Sequence, residues 1–191
     1  MIYFVMGKSS SGKDTIFQKL LQDETLNLKK LVGYSTRPQR ANEQNGREYF
    51  FVTEDEMLCL EREGKVIERR SYNTVHGIWN YFTVDDGQMQ DASAKYLYIG
   101  TLESYEKVVS YYGQELVVPI YIEVEDGLRL ARAVERERKQ SQPKYAELCR
   151  RFLADAADFS EENILKCGIP KRYSNNESIE KCLQEIRKDL Q

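Results

Sequence analysis

Apolar runs and helical stripes alternate along this chain. Residues 2–6, Ile-Tyr-Phe-Val-Met, are wholly apolar, the pattern of a strand buried on both faces of a parallel sheet. Ile16, Phe17, Leu20 and Leu21 then recur at helical spacing. The alternation returns further on, where short apolar runs at 95–99 and 116–124 flank a helix over 102–112 that Gly113 stops. Strands separated by helices predict a parallel, doubly wound α/β core. Between these halves the rhythm changes. Strand-like runs at 29–34, 48–52, 65–68 and 75–84 crowd around one helix, opened by a Thr53/Glu56 capping box and ended by Gly64. That crowding predicts a small mixed α/β lobe inserted into the core. From 126 to 159 the chain reads as helical and densely charged, with a break at Ser141-Gln142-Pro143, and a last helix covers 177–190.

Composition narrows the classes. A chain of 191 residues suits one domain and can bury a real core. Its formal net charge of −3 argues against a general nucleic-acid binder, which carries a basic excess. No apolar run approaches the roughly 20 residues of a membrane span, and Met1 leads straight into the first strand, leaving no room for a signal peptide. The four cysteines (Cys59, Cys149, Cys167 and Cys182) form no C-x-x-C pair, and His76 is the single histidine. Reduced thiols in a cytoplasmic protein are therefore expected, without a zinc site.

The chemistry starts between the first strand and helix, at Gly7-Lys8-Ser9-Ser10-Ser11-Gly12-Lys13. A G-x-x-x-x-G-K loop in that setting predicts a phosphate cradle. Glycines let backbone N–H groups turn inward, the helix N-terminus adds positive potential, and Lys13 supplies a mobile cation. A Gly/Ser-rich connection with a solvated lysine is the plainer alternative. Asp14 stands where a magnesium-ligating Ser or Thr normally follows the lysine, with Thr15 one step later.

Three further groups bear on function. Ser35, Arg37, Arg40, Glu43 and Tyr49 lie on one polar loop and the strand after it. Two arginines three apart can clamp a phosphate through charge-assisted bonds, or they can form routine surface ion pairs. Glu68 ends an apolar strand; its carboxylate can accept the paired N–H groups of a guanine edge, or it is a surface glutamate. Arg129, Arg132, Arg136 and Arg138, then Arg150 and Arg151 beyond Pro143, suit a hinged lid that neutralises a transferring phosphoryl. Interleaved Glu135 and Glu137 equally suit a solvated helix.

Together these residues resemble the guanylate kinase family over essentially the whole chain. The most specific part is residues 35–52, which match S-x-R-x-x-R-x-x-E-x-x-G-x-x-Y through Ser35, Arg37, Arg40, Glu43, Gly46 and Tyr49. The resemblance implies a P-loop NTPase-type parallel sheet flanked by helices. Its core comprises 1–34, 85–125 and 160–191, its monophosphate-binding lobe 35–84 and its arginine lid 126–159. It implies transfer of the ATP γ-phosphate to GMP with Mg2+, in a monomer or homodimer without nucleic-acid or membrane partners. ATP would be held by Gly7, Lys8, Ser9, Ser10, Ser11, Gly12, Lys13, Asp14, Thr15 and Asn176, with Asp14 or Thr15 on the metal. Ser35, Arg37, Arg40 and Tyr49 would hold the GMP phosphate with Glu43 beside them, Glu68 the guanine and His76 a phosphate or ribose. Lys13, Arg136, Arg138 and Arg151 would neutralise the transferring group.

The chain also departs from the family pattern. Tyr98 and Gly100 stand where two aspartates are expected, and Ile78 where a hydroxyl reads guanine. These departures fall on base recognition, so a kinase for another acceptor is the first alternative. A non-catalytic phosphopeptide-binding module is the second, and the intact Lys13 loop argues against it.

Overall fold

The computed structural model describes residues 1–74 and 77–190. Five parallel strands form the core: β1 (Ile2–Met6), β2 (Leu28–Lys30), β7 (Lys95–Ile99), β8 (Val117–Glu123) and β9 (Arg172–Ser174), in the order β2-β7-β1-β8-β9. All five residues of β1 are buried, as a wholly apolar central strand requires. Its side chains alternate between two layers. Tyr3 and Val5 meet α1 (Lys13–Leu21) and α7 (Ile179–Leu190) through Ile16, Phe17, Leu20, Leu183 and Ile186. Ile2, Phe4 and Met6 meet α3 (Leu102–Tyr112) and α6 (Glu161–Lys166) through Leu102, Tyr105, Val108 and Ile164.

The inserted lobe is a second sheet of order β4-β3-β6-β5, made from β3 (Tyr34–Ser35), β4 (Phe50–Phe51), β5 (Val66–Thr74) and β6 (Gly77–Val84). Its far face is covered by α2 (Glu54–Arg62), where Met57 packs on Phe82 and Val84. The Thr53/Glu56 capping box is formed. The charged segment folds as α4 (Asp126–Arg138) and α5 (Tyr145–Asp158), separated at Pro143 because the ring leaves the residue before it outside the helical region.

Two expectations need correcting. The run at 29–34 is not one strand: β2 joins the core and β3 the lobe, with Gly33 at the crossing. A Cβ there would lie 2.9 Å from the Tyr98 hydroxyl. The strand expected at 65–68 continues to Thr74, because β6 pairs with it along its length. The sequence predicted no element between 160 and 176, where α6 and β9 lie.

Candidate active site

The phosphate loop is shaped by close approaches. A Cβ on Gly7 would lie 2.6 Å from the Ile122 carbonyl, and one on Gly12, at φ 87°, would lie 2.6 Å from Asn175 Nδ2. That Asn175 amide donates to the Ser11 carbonyl at 2.8 Å and is buried, bracing the loop from the end of β9. Ser10 is left-handed at φ 65°. The loop already holds an anion: the Ser9 N–H donates to Asp155 Oδ2 of α5 at 2.8 Å. Arg129 Nη1 donates to the same oxygen at 3.3 Å. Arg129 is buried, bonds Asp126 Oδ1 through Nε at 2.9 Å, and stacks 4.0 Å over the Phe152 ring. Ser10 Oγ, Ser11 Oγ and Arg129 Nη2 are buried with no partner. Buried polar groups are normally paired, so these donors are left available to acceptor oxygens. Lys13 Nζ sits 3.6 Å from Asp14 Oδ2, an exposed carboxylate, and Thr15 is exposed beside it. Lys8 does not face this ligand space freely, since it pairs with Asp126 at 3.4 Å.

A phosphate entering this loop would compete with the seated Asp155 carboxylate. A bond to a charged acceptor is worth about 1.5–3 kcal/mol, and such a phosphate would have to displace it. Asp155→Asn should therefore tighten ATP binding by roughly tenfold. Calorimetric affinity that stays equal or weakens would contradict this competition.

The lobe brings the 35–49 motif together. Arg37 is buried, stacks 5.4 Å from the Tyr49 ring and 5.1 Å from Phe51, and forks onto Glu43 at 2.7 and 2.6 Å. That fork, with the Arg40 N–H at 2.9 Å, holds the Glu43 carboxyl at about 2. Glu43 thus occupies the Arg37 fork, and the Arg40 guanidinium has no bond among the described residues. Ser35 serves the turn instead: its hydroxyl donates to the Asn80 carbonyl at 3.0 Å and accepts the Arg37 N–H at 3.2 Å.

Glu68 is not free. Arg70 forks onto it, Nε to Oε2 at 2.9 Å and Nη2 to Oε1 at 3.2 Å, and the Thr83 hydroxyl donates to Oε1 at 2.7 Å. His76 lies outside the described residues. Asn176 is also otherwise engaged, accepting the Glu125 N–H at 2.8 Å. On α4 and α5, Arg136 and Arg151 line a cavity with Ser9, Ser10, Arg129 and Phe152, while Arg151 also bonds Glu147 at 2.8 Å. Arg138, two residues beyond Arg136 and so on another helical face, stays outside that cavity and exposed.

A sequence-family model described as guanylate kinase matches residues 1–109. The chain belongs to the guanylate kinase family. Guanylate kinases from Cupriavidus metallidurans and Mycoplasma mobile are 33% and 40% identical to it over 95 and 77 residues. Those stretches are 49% and 40% of this chain, and 41% and 38% of the relatives' own lengths. The crystal structure of guanylate kinase from Anaplasma phagocytophilum superposes with a TM-score of 0.64 at 26% identity, covering 100% of this chain and 84% of that one. The family's P-loop α/β architecture is thereby shown for this chain. Sequence reading missed Asn175, Asp155 and Arg70 as site residues. Only Arg70 left a local signal, two residues from Glu68 on one strand face.

Proposed function

We propose that this family member transfers the γ-phosphoryl group of ATP to a phosphomonoester acceptor of the nucleoside-monophosphate class. One observation carries the reading: a strand–loop–helix nest holding a carboxylate on the Ser9 N–H beside unpartnered Ser10, Ser11 and Arg129 donors. Such a site recognises phosphate oxygens. Lys13 would follow the transferring group, with Arg129, Arg136 and Arg151 lowering the charge around it. Arg37, Arg40 and Tyr49 would hold the acceptor phosphate once Glu43 yields Arg37. GMP is the acceptor that the relatives' name suggests. The pairing of Glu68 with Arg70 favours a second reading, an acceptor other than GMP.

Magnesium fits the donor set at the head of α1, an exposed carboxylate and an exposed hydroxyl. Held by Asp14 and Thr15 when bound with ATP, it would supply neutralisation of phosphate charge. Asp14 near those phosphates would be strongly repelled unless a cation lay between. Asp14→Ala should therefore raise the magnesium requirement more than Thr15→Ala, in titrations at saturating ATP. The reverse order would give the metal to Thr15.

The assay for the function is coupled ADP release with ATP, magnesium and a panel of nucleoside monophosphates. Acceptor-dependent ADP release is expected; release independent of any acceptor would contradict the kinase reading.

A further inference from the structure

Glu68 and Arg70 share the face of β5 that looks toward the acceptor lobe's arginine and tyrosine groups. Their cross-strand partners are Thr83 and Tyr81 of β6, and Tyr81 packs edge-on against Tyr49 at 5.5 Å. The Glu68 side chain is 2% exposed and that of Arg70 13%. The Glu68 carboxylate takes three bonds here, two from Arg70 and one from Thr83. Guanine would need that carboxylate to receive two N–H groups side by side, from N1 and the 2-amino group. It can do so only by breaking the Arg70 fork, which strands a guanidinium that never loses its charge.

Neither Tyr98 nor Gly100 adds a second carboxylate. Tyr98 is buried, and its hydroxyl lies 2.7 Å from that of Thr83. A side chain at Gly100 is excluded, since a Cβ would lie 2.4 Å from Ser104 Oγ and 2.6 Å from the Phe4 ring. Arg70 Nη1 donates to Thr101 Oγ1 at 3.2 Å. Nη1 and Nη2 each carry two hydrogens, and each has one bond among the described residues. This end of the cleft therefore offers donors and a balanced or positive charge.

We propose that Arg70 sets acceptor specificity: by claiming Glu68 it turns a guanine-reading edge into one that receives carbonyl or anionic oxygen. The inference rests on the kinase reading above for its context and deepens it. The acceptor is a monophosphate whose distal end presents oxygen where guanine presents an amino group. With such a ligand the Arg70–Glu68 fork stays closed, and the spare guanidinium hydrogens meet the oxygen.

GMP and xanthosine monophosphate form a matched pair, because they differ at the purine 2-position, amino in one and oxygen in the other. For the wild-type protein, kcat/KM should favour xanthosine monophosphate at least tenfold. Arg70→Ala, which frees Glu68, should reverse that order, with ATP affinity unchanged and folding checked by thermal melting. The wild-type comparison needs no variant, so an unfolded Arg70→Ala protein would leave the test standing. A wild-type preference for GMP would overturn the inference and leave the kinase reading intact. If neither nucleotide is phosphorylated, that assay counts against the kinase reading for this pair. The ratio of their calorimetric Kd values then decides the inference: tighter xanthosine monophosphate supports it, and equal or tighter GMP overturns it.

Discussion

Lys13→Met should lower turnover by about 10² to 10³ while the protein melts at nearly the wild-type temperature. Removing one preorganised donor from a site of developing charge costs about that factor. The fold has little stake in Lys13: among the described residues its one ion pair is with exposed Asp14 at 3.6 Å, and such surface pairs contribute little. Methionine keeps the length and helix propensity of the lysine stem. Turnover within threefold of wild type would remove Lys13 from the chemistry.

Arg129→Ala should affect both the fold and the rate. Its guanidinium is 1% exposed and ties together Asp126, Asp155 and the Phe152 ring. Deleting one partner of a buried ion pair typically costs about 3–5 kcal/mol. Here the cost falls toward the lower figure, because Asp126 is half exposed and can recover solvent. In the substrate complex the unpartnered Nη2 would be lost as well, and turnover at saturating ATP should fall by about tenfold or more. Denaturant unfolding and steady-state kinetics on the same variant measure both. Unchanged stability would mean that Arg129 does not hold α4 to α5.

The phosphate loop was legible because its signal is contiguous: an apolar strand, a glycine-bounded loop and a helical stripe follow one another without a gap. The Ser35–Tyr49 motif was legible for the same reason, as was α3, whose stop signal Gly113 lies at its end. What escaped was what the chain brings together from afar. Asp155 reaches Ser9 across 146 residues, and Asn175 reaches Ser11 across 164. No local pattern announces either contact. The strand break between Lys30 and Tyr34 was hidden because an apolar stretch reads alike whether it stays in one sheet or crosses to another. Ser35 and Glu68 show a different limit. Their residue types fit the family motif, yet Ser35 braces its own turn and Glu68 answers to Arg70.

The central claim is that a phosphoryl group leaves ATP and arrives on the acceptor held across from the loop. Mass spectrometry of the nucleotides after incubation with ATP, magnesium and the monophosphate panel tests it most directly. Equal amounts of ADP and of one acceptor gained by a single phosphate are expected, both formed about 10² to 10³ times more slowly by Lys13→Met. ADP accompanied by free phosphate and unaltered monophosphates would contradict it.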